Sequence, residues 1–200
     1  LSHVFPLASV AVAIAMLILT PIWAYRWTRL PFLGTFIETN NVVASIAHAG
    51  WPAYDAGGKY QDHLDALNGK PVSNARDIET IMAQNGYNPV HAEFTRLNGT
   101  RYSVDVTPIH FPFGDLLSYF IVPYLVGLVF LIIGLWAYRL RSDLWESRAL
   151  VTFVSGISIM TSTLFEISTT RYTNALWGPA ILLVAGGIMY LAMVFPYPVR

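Results

Sequence analysis

The chain has 200 residues, of which 54% are hydrophobic and 12% charged, and its formal net charge is zero. Soluble domains carry about twice that share of charge, and a nucleic-acid footprint needs clustered Lys and Arg on a soluble face; neither pattern is present. The lack of cysteine excludes disulfides, thiolate metal sites and cysteine nucleophiles.

Apolar residues gather in long runs at both ends, with the polar residues between them. A bilayer core of about 30 Å takes about 20 apolar residues as a helix. The first such run is Val4 to Tyr25, without a charge. Arg26 and Arg29 follow it, and Trp23, Tyr25 and Trp27 mark an interface. The run is longer than the usual apolar core of a signal peptide and lacks a clear small-x-small cleavage site, so an uncleaved helix is expected.

Residues Phe32 to Phe111 read as a small mixed domain. Asn41 to Ile46 is a β-rich stretch, and Gly50-Trp51-Pro52 is a turn signal. Pro52 to Ala56 suits one helical turn closed by Gly57-Gly58. His63 to Leu67 is a short strand, ending at the tight-turn dipeptide Asn68-Gly69. Asn74 to Ala83 is an amphipathic helix with Ile78, Ile81 and Met82 on one face, capped by Ser73 or Asn74. His91 to Leu97 and Arg101 to Val106 form a hairpin about Asn98-Gly99. Asn98-Gly99-Thr100 also matches a glycosylation sequon, but the hairpin explains Asn-Gly better.

Three further runs reach spanning length: Leu116 to Tyr138, with a kink expected at Pro123; Ala149 to Ser168, rich in Ser, Thr and Gly; and Ala175 to Phe195. The expected organisation is therefore 1–29 as the first span and flank, 30–114 as the domain, and 115–200 as spans two to four. The fold class is membrane α-helical, with at least four transmembrane helices, plus a small α+β domain. A chain that opens on Leu1 and stops at Arg200, straight after an apolar run, is expected to be a fragment of a larger bundle. Arg139, Arg141 and Arg148, between the second and third spans, point that loop to the cytoplasm of an inner or plasma membrane. The domain then lies on the extracytoplasmic side; Arg26 and Arg29 count the other way.

The stretch Gly50-Trp51-Pro52-Ala53, then Ala56-Gly57, then Asp62-His63-Leu64-Asp65-Ala66-Leu67-Asn68-Gly69-Lys70-Pro71-Val72 resembles the core of a bacterial PDZ domain. That family's pattern reads Gly-x-Pro-Ala, Ala-Gly, Gly-Asp-x-Ile and Asn-Gly-x-Pro-Val. One departure is Gln61, where the family has Gly. The resemblance implies structural roles for Gly50, Pro52, Ala53, Gly57, Asp62, Asn68 and Gly69. It also implies a peptide or C-terminal ligand added as a strand beside Phe32, Leu33, Gly34, Thr35, Phe36 and Ile37. The alternative is that Leu33-Gly34 only links membrane to domain.

Chemistry-bearing patterns are missing from the sequence. There is no His-Glu-x-x-His, no Gly-x-Ser-x-Gly and no phosphate-binding loop with Lys. His3, His48, His63, His91 and His110 lack ligand spacing, so no metal and no cofactor is expected. Asp62 and Asp65 invite an acid/base reading, but the PDZ resemblance implies a structural turn role for Asp62 instead. Glu166, near the end of the third span, either sits at the interface and pairs with Arg171 or has a buried signalling or packing role.

One span, an extracytoplasmic PDZ-like domain and a helix bundle resemble the sensory half of bacterial sensor histidine kinases. Residues Ala192 to Arg200 resemble the Leu-x-Val-Phe-Pro-x-Pro junction inside such bundles. The resemblance implies a two-component signal-transduction receptor, homodimeric, in which the PDZ-like domain senses a peptide or small ligand. The segment itself is then no enzyme, and a kinase module would lie beyond Arg200. The alternatives are the PDZ-bearing part of a membrane protease or its partner, and a membrane-tethered peptide-binding scaffold.

Overall fold

In lipid, a backbone without water must satisfy its own N–H and C=O groups, so apolar runs of spanning length become helices. The computed structural model of the chain describes residues 3–38 and 40–194. In chain order its elements are α1 (Val4–Trp27), α2 (Pro52–Asp55), β1 (His63–Leu67), β2 (Lys70–Pro71), α3 (Ala75–Asn85), β3 (Val90–Thr95) and β4 (Arg101–Val106). Then follow α4 (Phe113–Leu116), a π-helical segment (Leu117–Ile121), α5 (Val122–Leu140), α6 (Trp145–Ser168) and α7 (Asn174–Val194). Among the described residues, four helices are long and apolar enough to cross a membrane: Val4–Trp27, Phe113–Leu140, Trp145–Ser168 and Asn174–Met193. The junction motif expected in 195–200 lies outside the described residues.

Contacts divide the chain into two units. One holds α1 up to Ile22, Gly114–Phe165 and the chain from Thr173 onward; the other holds Trp23–Phe113 together with Glu166–Tyr172.

In the helical unit, α6 is the most buried helix. Its neighbours reach it where they carry glycine. A Cβ at Gly134 of α5 would sit 2.1 Å from Val154 Cγ2, and one at Gly187 of α7 would sit 2.7 Å from Phe153 Cβ. Removing side chains at such crossings lets backbones approach, which is how helices gain van der Waals contact in lipid. Several Ser and Thr hydroxyls of α6 bond their own helix, as Ser155 does to Val151 O at 2.7 Å, while Ser147 donates to Ala137 O of α5 at 3.0 Å. Tyr124 of α5 donates to Leu17 O of α1 at 2.9 Å. At the other end, His3 bonds Tyr138 Oη at 2.9 Å and its Nε2 accepts from Arg148 at 3.0 Å. The starts of α1 and α6 and the end of α5 therefore share one end of this unit.

The helix is irregular just before Pro123. The proline ring cannot coexist with a regular turn before it. The helix instead widens into the π segment, where the Val122 N–H reaches back to Leu117 O. Helix α6 also starts at Trp145, four residues before Ala149. Trp145, Glu146 and Arg148 suit an interfacial first turn, which an apolar-run criterion passes over.

The second unit is built on an antiparallel sheet in the order β2-β1-β3-β4. Asn68 and Gly69 both take positive φ, 51° and 70°, and close the β1–β2 turn. Helix α3 starts on a capping box: Asn74 accepts from the Asp77 N–H, and Asp77 accepts from the Asn74 N–H. Its Ile81 and Met82 join Leu64, Leu67, Val90, Phe94 and Val106 in the core.

The strand expected over Asn41 to Ile46 does not form as a regular element. Only isolated bridges occur, Val42 to His63 and Val43 to Ile37. Asn41 has φ +60° and commits its side-chain amide to Val72 O at 2.9 Å, so the chain turns where a ladder would begin. Gln61 takes φ +72°, the left-handed conformation that a glycine adopts at less cost.

Candidate functional site

The domain has a groove with two walls. One is the segment Leu33 to Ile37, bent at Gly34 and Thr35 and held by the Ala44 N–H on Phe36 O at 2.9 Å and the Ile37–Val43 bridge. The other is the face of α3 bearing Ala75, Ile78, Glu79 and Met82, spaced i, i+3, i+4 and i+7. Gly34 makes the first wall possible. Its φ is +91°, and a Cβ there would lie 2.4 Å from the Pro52 nitrogen.

The six residues expected to bind a ligand are all buried, from Phe32 to Ile37. They are part of the fold and do more than link membrane to domain. Leu33 and Ile37 enter the hydrophobic core with Ile81 and Met82. Phe32 and Phe36 enter an aromatic cluster with Trp27, Trp51 and Phe111, the ring centroids of Phe32 lying 5.8, 4.9 and 5.0 Å from those of Trp27, Trp51 and Phe111. Each such pair adds about 0.5–1.5 kcal/mol beyond its buried area. Both chain connections of the domain pass through this cluster, because Trp27 ends α1 and Phe111 precedes α4. The Phe32 and Ile109 backbones exchange two hydrogen bonds, at 2.8 and 3.0 Å, beside it.

The groove is occupied by the chain itself. Ser168, Thr169 and Arg171, from the connection between α6 and α7, line it together with the two walls. The cavity left is about 50 Å³, room for one or two waters, each of which takes about 30 Å³ in the liquid. Arg171 is held at φ +63°, with its N–H on Glu166 O at 2.7 Å. Its guanidinium Nη2 donates to Ile37 O, while its buried Nε has no partner. Burial pulls the guanidinium below the usual arginine range, and the nearby Glu79 and Glu38 carboxylates oppose that. Burial likewise pushes the Glu79 carboxyl up, against the pull of Arg171 and Arg76.

The expected pairing of Glu166 with Arg171 is not what the side chains do. Glu166 is fully buried; one oxygen accepts from the Thr170 hydroxyl and the other, Oε1, has no hydrogen-bond partner. Two residues five apart across a helix end meet through the backbone, leaving the arginine free to extend into the groove.

The remaining motif residues are structural. Gly50 donates to Asp55 at 3.0 Å, Pro52 opens α2, Ala53 is fully buried, and Gly57 has φ +105°. Asp62 accepts from the Lys59 N–H at 2.9 Å and the Tyr102 hydroxyl at 2.5 Å, and burial, with this bond second to it, raises the Tyr102 phenol above its usual range. His63 pairs with Asp65 at 2.9 Å, and His91 with Asp105 at 2.8 Å. Among the described residues no three His, Asp or Glu side chains gather where they could hold a metal ion.

Glu79 and Phe111 were not singled out by the sequence, and Trp27 was read only as an interfacial aromatic. The signal for Glu79 was a carboxylate inside the apolar stripe of an amphipathic helix. For the two aromatics there was none, since their meeting depends on the Phe32–Ile109 pairing. The chain matches no protein-family model and no curated protein.

Proposed function

We propose that this chain is the membrane-embedded sensory region of a signal-transduction receptor, in which a PDZ-like extracytoplasmic domain answers a peptide or small ligand. The observation that supports it best is a groove between the Leu33–Ile37 segment, which bridges to Val43 at its end, and helix α3, closed by the chain's own loop. That is the geometry in which strand addition captures peptides. The wall of the groove is continuous with the aromatic cluster that holds Trp27 and Phe111, so an occupant that moves Phe36 moves the two connections to the spans. A ligand does so only to the extent that it binds two arrangements of the groove with different affinity. The Arg139, Arg141 and Arg148 side of the helical unit is cytoplasmic in this reading.

The test uses the chain in lipid nanodiscs and a random hexapeptide library with free C-terminal carboxylates. Selected peptides should slow hydrogen exchange at residues 33–37 and 75–82. A library that yields no such peptide sinks the peptide-sensing reading.

A further inference from the structure

The loop between α6 and α7 enters the groove with a cation. Its backbone turns at Arg171 in the left-handed region, uncommon for a residue with a Cβ. Arg171 lines the groove together with Leu33, Ile78 and Met82. The head donates to the Ile37 carbonyl, an acceptor to which a strand added at this wall would donate an N–H. Glu79 on α3 and Glu38, next to Ile37, supply the negative charge around it.

We propose that this groove is an arginine-reading site, with Arg171 as its built-in ligand, and that the free ligand it admits is a peptide presenting an arginine to Glu79, Glu38 and the Ile37 carbonyl in place of Arg171. The inference rests on the ligand-sensing reading above and adds the chemical class of the ligand and its competitor. Two features make the resident arginine displaceable. Its backbone is strained, and its Nε is buried without an acceptor. A peptide arginine arriving on an unstrained backbone avoids the first cost and can find a partner for the second. Arginine suits the role better than lysine, because its planar fork can serve a carbonyl and a carboxylate together.

The probe is an acetylated peptide with the sequence of residues 167–172, and the same peptide with citrulline in place of its arginine. Both are titrated against nanodisc-embedded chain, native and Arg171→Ala, with near-UV circular dichroism to verify folding. The native chain should bind the arginine peptide weakly, because only the fraction with an open groove is competent; Arg171→Ala should tighten binding about tenfold or more. Citrulline keeps the shape and loses the charge, so it should bind Arg171→Ala about tenfold or more weaker than arginine does. Equal binding of the two peptides overturns the arginine reading and leaves peptide sensing standing. Binding of neither peptide to folded Arg171→Ala overturns the arginine reading too, while the random library still decides the sensing reading. Should Arg171→Ala not fold, Glu79→Gln in the native chain decides: faster hydrogen exchange at residues 168–171 supports the proposal, and unchanged exchange overturns it.

Discussion

Gly34 is the residue on which the groove wall turns. With φ +91° and the Pro52 nitrogen 2.4 Å from where a Cβ would stand, neither the backbone nor the space admits alanine. The obstacle is backbone, not the end of a flexible side chain, so relief requires the Trp51–Ala53 segment to move. Gly34→Ala should cost roughly 2–4 kcal/mol, combining overpacking with a disfavoured dihedral. Thermal unfolding of the chain in nanodiscs checks this; a loss below the experimental error refutes the close approach. Glu79 shows a different balance. Its carboxylate loses solvation, and the attraction of Arg171 and Arg76 does not fully compensate, which is why its pKa rises.

Among the elements, α3 is the groove wall most dependent on local sequence. The Asn74 side chain accepts from the Arg76 and Asp77 N–H groups at 2.9 and 3.2 Å, and the Asp77 carboxylate accepts from the Ser73 and Asn74 N–H groups at 2.9 and 3.1 Å. Those bonds satisfy N–H groups that a helix start leaves open. Asn74→Ala should therefore cost about 1 kcal/mol, and hydrogen exchange should rise first at residues 75–79. An unchanged exchange pattern would mean that tertiary contacts alone hold the helix start. The sheet elements rest on turn chemistry of the same local kind, since Asn68-Gly69 and Gly99 occupy the positive-φ positions that their turns require. The missing strand at Asn41 to Ile46 shows the opposite. Its apolar residues predict pairing, yet the one left-handed residue before them, anchored to Val72, limits that pairing to single bridges.

For the whole molecule, the orientation in the membrane is open to a direct measurement, because a chain without cysteine accepts single cysteines on a clean background. Ser103 on β4 and Ser142 in the connection before α6 are both exposed. In intact cells a membrane-impermeant maleimide should label Ser103→Cys and spare Ser142→Cys until the membrane is opened. The reverse pattern overturns the extracytoplasmic position of the domain. The four spans, the hairpin, the α3 helix and the turns at Asn68 and Gly99 were determined by the sequence alone, because each rests on hydrophobic periodicity or on a residue type that its own local geometry demands. The π segment before Pro123, the aromatic cluster and the filling of the groove by Arg171 were decided by the tertiary structure. Residues 166–172 lie far along the chain from the segment they meet, and a contact between residues 134 positions apart, as Arg171 and Ile37 are, leaves no periodic or compositional trace in either stretch. It forms where the segment after α6 brings a cation to the Ile37 carbonyl, with the Glu79 and Glu38 carboxylates nearby.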